Sequence, residues 1–296
     1  MQGRSFEVRA SDGRALRARV AGPEDGALVV YHSGTPGTNN LYADHVEAGA
    51  ERGLRHVCCS RPGYGGSERQ PGRSISACAT DIAAVADALS AERFYVVGHS
   101  GGAPHALACA ALLPDRVIAA ASLSGFAPRQ VMGDAWQTDM ADENVEEFDA
   151  AVVGGAGLDA CIRVIWRKWG KIKTLDHLRE EFQCYYNSAD RDALLVDANL
   201  RFQLFCIEQI AAEEIWGWFD DDRAIVTDWG FAIEDIEVPI SIWHGEGDPT
   251  VPSAHGVWLT RQIPGAHFNC LPGEGHMSFL EHSYGAILDE LIEIGA

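Results

Sequence analysis

Along its first 126 residues the chain switches repeatedly between two patterns. Short runs that are apolar at nearly every position, ALVVYHS (27–33), RHVCCS (55–60), RFYVVGHS (93–100) and VIAAASLSGF (117–126), are the first. Stretches that are apolar every third or fourth residue lie between them, among them NNLYADHVEAGAERG (39–53) and TDIAAVADALSAE (80–92). A run apolar on both faces predicts a strand buried on both sides, and the 3.6-residue spacing predicts a helix packed on one. Strand and helix in alternation imply a parallel sheet with right-handed crossovers. At the N-terminus, FEVRA and ALRARV alternate polar and apolar residues around Ser11-Asp12-Gly13-Arg14, which predicts a hairpin.

The rhythm stops near Ala127. Up to Asp235 the strand signal is absent and amphipathic stretches follow one another: EEFDAAVV (146–153), CIRVIWRKW (161–169) and LRFQLFCIEQIAAEEI (200–215). Trp136, Trp166, Trp169, Trp216, Trp218 and Trp229 fall in this block. The parallel pattern then returns with PISIWHGEGD (239–248) and HFNCLPGEGH (267–276), and YGAILDELIEI (284–294) ends the chain as a helix. The expected organisation is an α/β core made of residues 1–126 and 236–296, interrupted by a helical cap over 127–235.

Composition narrows the partners. With 47% hydrophobic residues, a chain of 296 can bury a sizeable core. A formal charge of −20 repels nucleic acid and anionic membrane, so neither is an expected partner. No apolar run reaches membrane-spanning length and the start, MQGRSFEVRA, has no signal-peptide stretch, so a cytoplasmic location is expected. The eight cysteines show no CxxC pair and read as free, buried thiols; no Cys/His spacing calls for zinc, and neither a metal nor another cofactor is expected.

The chemistry sits at Gly98-His99-Ser100-Gly101-Gly102, between a strand and an alanine-rich helix. Glycines at this turn let the chain reverse sharply and let the helix pack close to the strand. Ser100 is then held with its hydroxyl above the sheet edge, at a helix N-terminus whose N–H groups favour a developing anion. An acid and a histidine follow in the order such an elbow needs. Asp248 ends PISIWHGEGD and His276 follows the next strand in PGEGH. Strand C-termini share one edge of a parallel sheet, so Ser100, Asp248 and His276 can converge. His276 is expected to take the serine proton and Asp248 to fix the imidazole tautomer. The N–H groups of Gly101 and Thr35, with Gly34 as the alternative to Thr35, are the expected oxyanion donors. His32, Ser33, His99, Trp136, Trp166, Trp218 and Met277 are candidate substrate contacts, and Arg61 is expected to anchor a loop by pairing with a carboxylate.

HSGTPG, SRPGYGGS, GHSGG, WHGEGDPTVP and PGEGH, in that order, resemble the α/β-hydrolase superfamily over nearly the whole chain, and within it the capped bacterial peptidase-like and haloperoxidase-like hydrolases. The resemblance implies an eight-stranded, mostly parallel sheet with a helical cap inserted after strand six. Haloalkane dehalogenases and epoxide hydrolases carry aspartate where Ser100 stands, so the resemblance does not extend to their chemistry. The reading is a cofactor-independent serine hydrolase of an ester, lactone or other small acyl substrate, working as a monomer or homodimer. Two alternatives compete: a proline-iminopeptidase-like aminopeptidase whose cap carboxylates grip a free amine, and a receptor-like ligand-binding protein with little turnover.

Overall fold

The structure is a computed structural model. It describes residues 3–185 and 187–296, the side chains of 182–185 excepted. Eight strands form one sheet: β1 (Arg4–Arg9), β2 (Ala15–Ala21), β3 (Ala27–His32), β4 (Leu54–Cys59), β5 (Phe94–His99), β6 (Val117–Leu123), β7 (Ile240–Gly245) and β8 (His267–Leu271). Their spatial order is β1-β2-β4-β3-β5-β6-β7-β8. The β1–β2 hairpin is antiparallel and β2 runs antiparallel to β4, while every pairing from β4 to β8 is parallel.

Side-chain alternation along each central strand divides the core in two. Leu28, Val30, Phe94 and Val96 face a layer made with α2 (Cys78–Ala88), α3 (Ala103–Leu112) and α11 (Ala254–Gln262). Val29, Tyr31, Val97 and Ala121 face α1 (Ala43–Ala50) and α12 (Ser278–Ile294). Covering a parallel sheet on both faces removes both sets of strand side chains from water, the arrangement that the uniformly apolar runs demand. Small residues bring α3 close to the sheet: Ala106, Ala108 and Ala110 are fully buried.

Between β6 and β7 the chain leaves the sheet for a succession of helices: α4 (Arg129–Met132), α5 (Asp142–Val153), α6 (Gly155–Trp169), α7 (Leu175–Tyr185), α8 (Ser188–Leu194), α9 (Asp197–Ala211) and α10 (Trp216–Val226). Several of them line a cavity above the ends of β3 and β5. Among the described residues no helix is long and apolar enough to cross a membrane. Seven cysteines are described, all as free thiols. Cys58, Cys59, Cys78 and Cys109 are buried, but Cys161 and Cys206 are half-buried and Cys270 is exposed, so burial does not extend to all of them. The side chain of Cys184 lies outside the described residues.

Candidate active site

The elbow has the geometry its small residues suggest. β5 runs into Ser100 at φ 55°, a left-handed conformation that a non-glycine residue holds only against strain. A short 3-10 turn, Ser100–Gly102, then opens into α3. A Cβ on Gly98 would stand 2.4 Å from the carbonyl oxygen of Gly102, so the strand and the turn can approach this closely only with glycine there.

His276 Nδ1 lies 2.8 Å from Asp248 Oδ2, with both side chains buried. The other carboxylate oxygen, Oδ1, accepts the N–H groups of Thr250 and Val251 at 2.9 Å each, which pins Asp248. Donating Nδ1–H to the carboxylate makes Nε2 the lone-pair nitrogen of the imidazole. Burial pushes the imidazole pKa down, but the charge of Asp248 and its hydrogen bond outweigh that, and the net direction is upward from the ordinary 6.5. Burial pushes Asp248 up and His276 pulls it down, with a net lowering. Ser100 and His276 line one cavity of about 660 Å³, while Asp248 stands behind the imidazole, off the cavity wall.

The segment after β3 faces the elbow. The backbone of Gly101 lies against Thr35, a Cβ there standing 3.1 Å from Thr35 N, and a Cβ on Gly34 would stand 3.4 Å from that of Ser100. Arg61 holds this loop from below, donating through Nη1 to Ser33 O (2.6 Å) and through Nη2 to Gly34 O (2.9 Å). Its carboxylate partner is Asp221 of α10. Asp221 Oδ2 takes Arg61 Nη2 at 2.6 Å, the Thr35 hydroxyl at 2.9 Å and the Tyr64 hydroxyl at 3.0 Å, and Oδ1 takes Arg73 Nη2 at 2.6 Å. Burial alone would raise Asp221, yet Arg61 and Arg73 hold it far below the usual carboxylate range.

Not every candidate substrate contact reaches the cavity. Ser33, His99, Trp218 and Met277 line it. His32 does not: it lies beneath the loop, stacked on His105 and 3.7 Å from Cys109 Sγ. Trp136 is 1% exposed and packs among Phe126, Phe148 and His255, with its indole N–H on Ala127 O. Trp166 is not part of the cavity wall either, which Val164, Ile165, Lys168 and Trp169 of the same helix form instead. His99 is buried, which drives its pKa down to about 3, so it is a neutral ring packed 4.9 Å from the His276 ring.

The least expected feature is acidic. Asp220, Asp221 and Asp222 of α10 are consecutive and all buried, contrary to the solvated faces that helix carboxylates usually form. Asp220 pairs with Arg69 and Asp221 with Arg61 and Arg73. Asp222 lines the cavity, and among the described residues no N–H group reaches either of its oxygens. Its neighbour is another carboxyl, Glu147 of α5, which accepts the Trp218 indole N–H at 2.6 Å. Burial raises both carboxyls, and Asp222 is raised further by the charge of Glu147. Two carboxyls this close resist ionising together. Among the described residues no group of three or more His, Cys, Asp or Glu side chains could hold a metal ion.

A family model described as the alpha/beta hydrolase fold matches residues 27–283. The chain belongs to the alpha/beta hydrolase fold family. A non-heme chloroperoxidase of Streptomyces lividans is 31% identical over 147 residues, 49% of this chain and 53% of that protein. Epoxide hydrolase B of Mycobacterium tuberculosis is 35% identical over 127 residues, 41% of this chain and 36% of its own length. These matches thus span about half, and about a third, of the relatives' lengths. The crystal structure of a bromoperoxidase from Bacillus anthracis superposes with a TM-score of 0.70 at 21% identity, covering 98% of this chain and 100% of that one. As a member of this hydrolase-fold family, the chain shares its architecture with proteins named for several different reactions.

Proposed function

We propose that the protein is a serine hydrolase acting on a small acyl compound, an ester or lactone, through an acyl-enzyme. The observation that carries this reading is Ser100, strained at the elbow and opening on the same cavity as His276, which Asp248 holds. Ser100 Oγ attacks the substrate carbonyl while His276 Nε2 takes its proton. The N–H groups of Gly101 and Thr35 (or Gly34) stabilise the oxyanion, and the imidazolium, balanced by Asp248, protonates the leaving alkoxide. Water then attacks the acyl carbonyl as His276 takes its proton, and the acyl–Oγ bond breaks as His276 returns that proton to Ser100, releasing the acid. The helical segment 127–235 serves as the cap that shapes the acyl site through Trp169, Trp218 and Phe148.

A pre-steady-state assay tests this. The wild type should release a burst of p-nitrophenol from a short acyl ester, and Ser100→Ala should abolish it. A burst retained in that variant removes Ser100 from the mechanism.

One observation favours a second reading within the same chemistry. The Glu147–Asp222 pair puts two neighbouring carboxyls on the cavity wall, which suits a substrate ammonium and hence an aminopeptidase. Turnover of proline-β-naphthylamide well above that of its N-acylated form would select it; no preference, together with ester hydrolysis, selects the ester reading. Stoichiometric retention of the acyl probe without multiple turnover would instead mark a receptor-like protein.

A further inference from the structure

α8 is a helix of seven residues, yet its Asp190 is completely buried. Its carboxylate reaches out of the helical segment to the loop that carries His276. Oδ2 accepts the backbone N–H of His276 at 2.9 Å, and Oδ1 accepts those of Met277 and Ser278 at 2.8 Å each. These groups lie at the start of α12, a 17-residue helix whose first N–H groups have no partner of their own. A carboxylate there satisfies three donors and meets the positive end of the helix.

The chain is shaped to admit it. A Cβ on Gly275, the residue before the histidine, would stand 2.3 Å from Asp190 Oδ2. Asn187 caps α8 by accepting Asp190 N–H at 2.8 Å and donates through Nδ2 to Gly247 O at 2.9 Å, one residue before Asp248. The short segment 187–190 therefore touches both the acid loop and the histidine loop.

We infer that Asp190 is a positioning residue for His276: by holding the N–H groups of residues 276–278 it fixes where the imidazole stands relative to Ser100. The inference rests on the reading of His276 as the base. Its consequence is that the helical segment, besides walling the cavity, completes the alignment of the reacting groups.

The charge of Asp190 supplies a readout that simple gluing does not. The groups facing His276 are Asp248, with His244 behind it, His99 and Ser100 from the elbow, and Asp190. Of these, Asp248 and then Asp190 favour the protonated imidazole, against the opposing effect of burial.

The test is the pH profile of kcat/KM for a p-nitrophenyl ester in Asp190→Asn and Asp190→Glu, with folding followed by circular dichroism. Asp190→Asn should lower kcat by about 10–100-fold with little change in KM, as expected for a misplaced base. It should also move the acidic limb to lower pH. Asp190→Glu keeps the charge and should leave the limb in place while kcat falls. A folded Asn variant with the wild-type limb overturns the inference, whether or not kcat falls. Hydrogen exchange on the wild-type chain needs no variant: the amides of 276–278 should be protected, and free exchange there also overturns it. Full turnover in Ser100→Ala would instead sink the serine mechanism, leaving the exchange result as an independent judgement on Asp190.

Discussion

Asp221 and Asp222 are neighbours on one helix, equally buried, and opposite in character. Asp221 is surrounded by two guanidinium groups and two hydroxyls and underpins the loop beside Ser100. Asp222 has another carboxyl, Glu147, as its neighbour and faces the cavity. A buried charge persists when its partners replace water, and otherwise takes up a proton. The same contrast separates the two walls of the cavity. Behind the sheet-side wall Asp248 and Arg61, and on it the Thr35 hydroxyl, are bonded within the protein. On the helical side the Asp222 carboxyl has no N–H partner among the described residues, which makes that wall the one to test for ligand choice.

The largest expected effect lies on the sheet side. Asp248→Asn should lower kcat for the ester by about 10³–10⁴-fold, because the amide stabilises the wrong imidazole tautomer. A loss of less than tenfold would remove Asp248 from the reacting set.

The two adjacent carboxylates give the sharper break. Asp221→Asn leaves Arg61 and Arg73 short of a buried counter-charge and should cost about 3–5 kcal/mol in denaturant melts at pH 7. In the wild type this contribution is present above the ordinary aspartate value of 3.8 and is lost as pH falls below it. Ester turnover should fall as well, by about 10²-fold if Thr35 N–H is displaced.

Asp222→Asn should act in the reverse direction. The unfolded residue ionises near its ordinary value of 3.8, whereas the folded one keeps its proton to higher pH, so the wild type loses stability as pH rises through that interval. The variant escapes this loss. Its Tm should exceed that of the wild type by about 2–4 °C at pH 8 for each kcal/mol relieved, and should match it near pH 4. Equal destabilisation by both substitutions would erase the contrast.

The contrast also separates what the sequence could disclose from what it could not. The parallel strands were legible because burial on both faces leaves them apolar throughout, and the pairing of Asp248 with His276 because strand ends converge by topology. The aspartate run was not. In WGWFDDDRAIV the polar residues look like a water-facing stripe, and the arginines that make their burial possible, Arg61 and Arg73, lie 160 and 148 residues from Asp221. One signal existed: three consecutive helical residues sweep an arc of about 200°, too wide for a single exposed face between Trp218 and Ile225. For Asp190 even that hint is missing, since its partners are backbone N–H groups that no side-chain pattern reveals. Trp136 and Trp166 mislead for a related reason, because helical spacing shows that an aromatic is buried but not whether it meets a cavity or the core.

The smallest expected effect is in the pH profile. The upward direction at His276 places the acidic limb of wild-type kcat/KM above the ordinary imidazole value of 6.5; a limb below it would mean that burial outweighs Asp248.

The most direct test of the account is covalent. A fluorophosphonate probe incubated with the wild-type protein, followed by peptide mass spectrometry, should place the adduct on Ser100, and the labelling rate should collapse in His276→Ala. An adduct on another residue, or a rate indifferent to His276, would contradict it.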